Sequence, residues 1–588
     1  MPATPKRDLF DRPWPVLGLY ILLACGMTYP LILNLTGSIP YGSGDVWQNY
    51  WNFWWWKKAL FDLHVSPMHT EWLYYPFGID LIFHTHSPFN MLAAMPVNMA
   101  YGEAAAYNVC VLAAFALSGF GMWLLAREWT GNGRAAFLGG LVFAFFPQHT
   151  EQTFEHLNLL STQFLPWALY YLVRVCRRSG TGAIVGLGVT FALNALCSWH
   201  LGLMLILSVV PIAAIELATT PGKRLRIARD LGLAAVVAIA VLAPAVQPMV
   251  AKIASGATYY EKPQVDRGID ATYLLTPHFG QPLWGGLVVG RYLERAYQAS
   301  GFICYLGCTP LVLAGFAIAR RARGWRLWLG YSLASLVLAL GAQPFWNGAL
   351  IENITLPFAV LRHLPLLDVL RVANRFLILT SLGLGVLAAM GFAALRTPSK
   401  GLFYGLAAFL CFEYAWLPYP LQKVEFPDAY RQMIDGPILR IGAVLDIPSF
   451  QKNLTVPNMV MQTLHDRPIA DGYVSTYPPE AEAAVATEPA LADLAGVPKL
   501  ERPINAARLV QLGFDTVVLH KDRADSYRKR KLEETPREDL LARKAALRMG
   551  GIPDEKMDEI RRQLTDICGE PAFEDDLVAI FYLPARVR

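Results

Sequence analysis

Trp14-Pro-Val-Leu-Gly-Leu-Tyr-Ile-Leu-Leu-Ala-Cys-Gly-Met-Thr-Tyr-Pro-Leu-Ile-Leu-Asn-Leu35 carries no charged side chain and is preceded by Lys6, Arg7 and Arg12. A run of that length crosses a bilayer as a helix. It is long for a signal-peptide core and lacks a small-residue cleavage site, so it reads as a retained first helix with its basic flank in the cytoplasm. Ten more apolar runs follow, at about 104–126, 135–147, 157–173, 181–197, 201–219, 230–251, 299–319, 327–342, 372–395 and 401–418. The hydrophobic fraction is 54% and the charged fraction 16%, against roughly 25% charged in soluble domains. The expected fold is mainly α, a polytopic membrane bundle of about eleven transmembrane helices.

The charges support this alternation. The N-terminus and the loops leading into odd-numbered helices hold Lys6, Arg7, Arg12, Arg127, Arg134, Arg174, Arg177, Arg178, Lys223, Arg224, Arg226, Arg229, Arg320, Arg321, Arg323, Arg326, Arg396 and Lys400, whereas the loops after the third and fifth helices hold no basic residue. Basic residues mark the cytoplasmic side. An odd helix number then places the tail outside, in a multi-pass protein of a cell inner membrane. From about Pro420 the apolar runs shorten and charges crowd around 521–548 and 554–562. Leu509–His520 reads as helix end, turn and strand, and Leu577–Tyr582 as another strand. Residues 1–419 are therefore expected to form the transmembrane domain and 420–588 a small extracytoplasmic α/β domain. The net charge of +5 is spread through loops, unlike a nucleic-acid patch. The eight cysteines contain no Cys-x-x-Cys, and Cys304 and Cys308 are expected four apart on one helix face.

The polar chemistry gathers on the outer side. Gly42-Ser-Gly-Asp-Val-Trp-Gln-Asn-Tyr-Trp51 opens the first outer loop and continues into Phe53, Trp54, Trp55 and Trp56. A carboxylate at a membrane face is costly without a partner or a task. Asp45 reads either as a helix cap or as a general base for an acceptor hydroxyl. The segment 45–64 suits an aromatic helix lying in the interface. Ser87–Ala100 is too short for an easy crossing and reads as a second interfacial or re-entrant helix.

Four further groups stand out. His84 and His86, on an extended stretch, point the same way and suit a metal, a phosphate or the interface. In Phe146-Pro-Gln-His-Thr-Glu-Gln-Thr-Phe-Glu-His-Leu-Asn158, helical spacing would align His149 with Thr153 and Glu151 with Glu155; the cluster, His156 included, suits substrate hydrogen bonds or a metal. Tyr259 and His278 mark the long fourth outer loop. Arg371, Asn374 and Arg375 open the tenth helix from outside. Two guanidinium groups at a helix N-terminus suit a phosphate better than the helix dipole suits them, although membrane anchoring is the plainer role.

Gly44-Asp45 with its Trp-rich helix, Glu155-His156-Leu157, Leu165-Pro166-Trp167 and Arg371-Val-Ala-Asn-Arg-Phe376 together resemble a poorly characterised bacterial branch of the GT-C integral-membrane glycosyltransferases, over residues 10–420. The resemblance implies transfer of a sugar from a polyprenyl-phosphate donor to a glycan, lipid or protein hydroxyl in cell-envelope polysaccharide synthesis. It implies inversion at the sugar, Asp45 as base, and Arg371 and Arg375 on the leaving phosphate. The fourth loop would cover the site, and the tail would help bind the acceptor. Many such enzymes carry a second acid beside the first; here Val46 follows Asp45, leaving Asp80, Glu71 or another loop to supply it. No cofactor is implied and no metal ligand is assigned, although a divalent ion is compatible with these loops. The competing readings are a lipid or polysaccharide transporter or flippase, which should carry mid-membrane charges, and a non-catalytic assembly protein on the same fold. Charge within the spans is sparse, with Glu216 and Glu413 near helix ends, which favours an enzyme.

Overall fold

A computed structural model describes residues 8–42, 44–256, 268–295, 303–364, 367, 370, 372–437, 440–450, 455–475, 479–495, 500, 502–535 and 551–584. Each of the eleven apolar runs contains a helix, although 157–173 is split into Leu157–Leu160 and Phe164–Arg177, and within 299–319 the helix is Cys308–Ala319. Four helices, Met95–Thr130, Trp199–Thr219, Pro221–Ala254 and Ala373–Ala393, are long and apolar enough to cross a membrane. Pro13–Met27, Gly133–Ala144, Thr181–Cys197 and Cys308–Ala319 are shorter apolar helices of 10–17 residues. Burial separates centre from rim. The apolar window of Ala373–Ala393 is 94% buried, between Gly133–Ala144, Cys308–Ala319 and Trp325–Ala339, whereas that of Pro221–Ala254 is only 11% buried. Leu233, Val236, Ile239 and Val250 of that outer helix are bare. Apolar surface of this extent is stable only against lipid or protein, so this is an integral membrane protein.

Local chemistry explains where the helices stop. Met95–Thr130 is bent at Gly102, whose φ of 84° and ψ of 178° only glycine adopts readily. The limb before the bend, with the short helix Pro88–Ala93, occupies the stretch expected to be interfacial. Cys304 and Cys308 do not share a helix face, because residues 303–307 are outside any helix and the helix starts at Cys308. Its N-terminus is held by Glu413, 1% exposed, which accepts from the N–H groups of Cys308 and Thr309, the latter at 3.2 Å. A buried carboxylate is stable here because it satisfies orphan helix donors.

After the last helix, Lys400–Tyr414, the strand Leu421–Lys423 pairs antiparallel with Ser38–Pro40, setting Gln422 opposite Ile39. The tail is thereby stitched to the start of the loop that follows the first helix. A four-stranded sheet follows. Ala443–Ile447 runs parallel to Phe514–His520, which pairs antiparallel with Val578–Tyr582, and Phe573–Glu574 forms the far edge. The strand register sets Leu445 beside Val517 and Val518 opposite Ile580. Ile469 bridges backbone to both Trp72 (3.0 Å) and Tyr75 (3.1 Å), so the loop after the first helix extends this edge.

A buried polar cluster lies at the C-terminal ends of Ala443–Ile447 and Phe514–His520. Asp446 accepts from Tyr430 Oη (3.0 Å) and bonds His520 Nε2 (2.7 Å). The Arg523 guanidinium donates to Asn458 Oδ1 (2.9 Å), and Asn458 Nδ2 donates to Asp471 (3.1 Å). Burial, with the neighbouring Asp446 charge, pushes the Asp471 carboxyl up to about 8. The folded state therefore holds a proton that the unfolded chain releases near pH 4. Stability from this group is full below that value and lost as pH rises through about 8, at up to about 1.4 kcal/mol per pH unit. Asp471→Asn is expected to remove that slope between about pH 4 and 8, read by thermal unfolding of the purified protein in detergent; an unaltered slope would place the ionisation elsewhere.

Candidate active site

The site is built on the Trp-rich helix, Gly44–Lys57. Expected to lie in the lipid interface, it is instead buried in protein, between Met95–Thr130 and the tail helix Thr455–His465. Trp51 and Trp55 stack with ring centres 5.8 Å apart. Trp51 Nε1 donates to Gln462 Oε1 of the tail (2.8 Å) and Trp55 Nε1 to the Pro67 carbonyl (3.0 Å). Buried indoles need acceptors. Here protein supplies them where headgroups were expected.

Asp45 stands in the first turn of this helix, where the dipole favours a carboxylate. Its Oδ1 accepts from the hydroxyl of Tyr473 (2.8 Å), and its Oδ2 faces His156 Nε2 at 3.2 Å. Both Asp45 and His156 keep roughly a quarter to a third of the side chain open, 30% and 27%. Glu155 Oε2 lies 3.7 Å from the other nitrogen of His156. Among the described residues, an acid beside this pair thus comes from the loop after Gly133–Ala144. Asp80 is instead engaged by His69 (2.8 Å) and Lys252.

Two local features bring the loops together. The chain after Phe146 is not one helix: Pro147–Glu151 gives way to a 3₁₀ turn at Gln152–Phe154. The expected helical alignment of His149 with Thr153 and of Glu151 with Glu155 is broken there, and His156 swings toward Asp45. His149 itself is buried, with ring nitrogens 2.7 Å from the carbonyls of Ala144 and Leu160. Gly42 permits the approach, since a Cβ on it would lie 2.2 Å from the Phe154 carbonyl oxygen.

His84 and His86 are held by partners of their own. His84 Nε2 bonds Asn52 Oδ1 (2.9 Å), and its Nδ1 accepts from the Ser475 N–H (3.2 Å). His86 Nδ1 accepts from Trp56 Nε1 (3.1 Å) and its Nε2 faces the Leu81 carbonyl (3.0 Å). Both rings are buried, and burial lowers His86 to about 3. Their nitrogens join loop 1 to itself and to the tail. His278 is fully buried, stacked 4.9 Å from Trp416, and likewise lowered by burial to about 3, so it does not cap an open site. Asn374 and Arg375 are half-buried in a 3₁₀ turn, Ala373–Phe376, rather than in the first turn of an α-helix, which begins at Leu377. Arg371 and Tyr259 lie outside the described residues. Among the described residues no three His, Cys, Asp or Glu side chains converge as a metal ion would require. Tyr473 has no counterpart in the sequence reading: it lies 428 residues from Asp45 in an unpatterned loop.

A family profile described as a domain of unknown function (DUF6311) matches residues 16–413. The chain belongs to that family. No curated protein matches it. Among solved structures it is similar to the arabinofuranosyltransferase AftD from Mycobacteria, with 15% identity and a TM-score of 0.52 over 87% of this chain and 35% of that one. The chain thus spans about a third of the length of that enzyme. Lower scores relate it to the oligosaccharyltransferase AglB from Archaeoglobus fulgidus (12% identity, TM-score 0.45, 95% and 72% of the two chains) and to ArnT from Cupriavidus metallidurans (13%, 0.42, 97% and 98%). What the mycobacterial likeness shows is the fold, that of the GT-C membrane glycosyltransferases.

Proposed function

We propose that this member of the family is a glycosyltransferase that moves a sugar from a polyprenyl-phosphate donor to an acceptor hydroxyl at the outer membrane face. The observation that carries the reading is Asp45: a partly open carboxylate at a helix N-terminus, held on one side by Tyr473 and on the other by His156. Asp45 takes the acceptor proton as the acceptor oxygen attacks the anomeric carbon. The bond from that carbon to the donor phosphate breaks, and the electron pair leaves with the polyprenyl phosphate. A single displacement of this kind inverts the anomeric centre. A base in place contributes about 10²–10⁴-fold to such a step. Arg371 and Arg375 are the proposed cations for the leaving phosphate, and Glu155 holds or polarises His156.

We assign the topology with this reading: eleven crossings, a cytoplasmic N-terminus, and the region 420–588 outside, beside Asp45. The transporter alternative is disfavoured because the acids near helix ends have structural partners. Glu413 holds a helix N-terminus, and Glu216 lies 4.0 Å from Arg177.

The test uses the full chain in nanodiscs, a panel of undecaprenyl-phosphate-linked pentoses and hexoses, and an extract of membrane glycans as acceptor. The expected result is release of undecaprenyl phosphate from at least one donor, with the label appearing in the glycan and none transferred from nucleotide sugars. Movement of intact donor between leaflets of proteoliposomes, without bond cleavage, would establish the transporter instead.

A further inference from the structure

The tail does more than neighbour the site. We infer that Tyr473 is a positioning residue for Asp45: its phenol hydroxyl, delivered by the tail, holds one carboxylate oxygen so that the other faces His156 and the acceptor. This inference rests on reading Asp45 as the base.

Tyr473 is fixed from both sides. Its carbonyl accepts from Gln48 Nε2 (2.9 Å), one turn along the same helix as Asp45, and its N–H points to Met459 Sδ (2.9 Å) of the tail helix. The preceding Gly472 carbonyl accepts from Tyr74 Oη (2.8 Å). Two residues on, Ser475 N–H donates to His84, and the Ser475 and Thr85 hydroxyls lie 2.6 Å apart. The residue before Gly472, Asp471, is anchored by Asn458 and by the Phe450 N–H (3.1 Å). A phenol held by this many contacts is oriented before substrate arrives, which is what a positioning group requires. Among the described residues, the groups facing Asp45 include Tyr473 from the tail, His156 with Glu155 behind it from the second loop, and Tyr107 from the long helix. Of these, Tyr473 is the one whose hydrogen bond Phe deletes while its ring packing stays.

A hydrogen bond donated to a carboxylate favours its ionised form, and removing one raises the group's midpoint by about one pH unit. Dicyclohexylcarbodiimide reacts with protonated carboxyl groups, so its labelling of the Asp45 peptide against pH, read by mass spectrometry on protein in nanodiscs, follows that ionisation without any substrate. In Tyr473→Phe the labelling midpoint is expected to rise by about one unit. In parallel, the acid limb of undecaprenyl-phosphate sugar turnover should move by the same amount, with kcat down about tenfold on that limb, recovering at higher pH, and KM unchanged. An unmoved midpoint in a variant that folds and inserts overturns the inference. A moved midpoint together with full turnover by Asp45→Asn overturns the role of Asp45 as base, but leaves the hydrogen bond established.

Discussion

Asp45→Asn is expected to leave a folded, inserted protein whose sugar transfer falls by about 10²–10⁴-fold. That is about 3–5 kcal/mol on the barrier. The cost to the fold is far smaller. Asparagine is isosteric, its carbonyl oxygen still accepts from Tyr473, and its amide donates to His156 where the ring nitrogen is unprotonated. What it loses structurally is the carboxylate's interaction with the helix dipole, about 0.3–1 kcal/mol. The two magnitudes separate the catalytic role from the capping role that the same position suggests. If Asp45 is chiefly a cap, Asn caps equally well and turnover should hold. If it is the base, turnover collapses while the unfolding midpoint in detergent barely moves. Release of undecaprenyl phosphate, measured beside thermal unfolding of the same preparation, decides between them; near-normal turnover would sink the catalytic assignment.

How much of this is legible in the sequence depends on the range of the interaction. Each of the eleven apolar runs contains a helix, because apolar chain away from water satisfies its backbone groups by coiling. The strands at 514–520 and 578–582 are equally local, since the consecutive β-branched and aromatic residues Thr516, Val517 and Val518, and Ile580, Phe581 and Tyr582, favour strand. The tryptophans of 47–56 are read wrongly, because a Trp that meets lipid headgroups and a Trp that meets Gln462 have the same local sequence. His84 and His86 look like ligands in a polar loop until burial and their Asn52, Ser475, Trp56 and Leu81 partners are seen. Asp45 and His156 are visible singly, each beside a recognisable motif. Their meeting depends on Gly42 allowing the Phe154 carbonyl close, and on a 3₁₀ turn where the spacing suggests an unbroken helix. Tyr473 is illegible for a plainer reason: nothing near Asp471-Gly-Tyr-Val-Ser475 has periodicity, and its partner is 428 residues away.

Arg523→Met is expected to cost the tail about 3–5 kcal/mol, against a total of about 5–15 for a typical domain. The Arg523 side chain is fully buried, yet it sits among groups that need a cation. Asp446, 1% exposed, is pushed up by burial, but the His520 hydrogen bond and the charges of His520, His465 and Arg523 more than offset this and hold it below the usual carboxylate range. Asp471 is neutral at pH 7, so the anions beside Arg523 are Asp446 and Asp522, the latter 3.8 Å from the guanidinium. Methionine fills much of the volume but leaves Asp446 without that cation and Asn458 Oδ1 without its donor. A surface pair gives the contrast. Arg561 with Glu574, each about one-third exposed, is screened by water, and Arg561→Met should cost no more than about 1 kcal/mol. Limited proteolysis of the purified protein is the direct measurement: the tail of Arg523→Met should be cut at least tenfold faster than wild type, with Arg561→Met close to wild type. Because Asn458 also anchors Asp471, next to the Gly472-Tyr473 arm, the same variant should raise the Asp45 labelling midpoint as Tyr473→Phe does. Wild-type resistance in Arg523→Met would mean that Asp446 is balanced by His520 alone, and that the buried arginine contributes packing rather than charge.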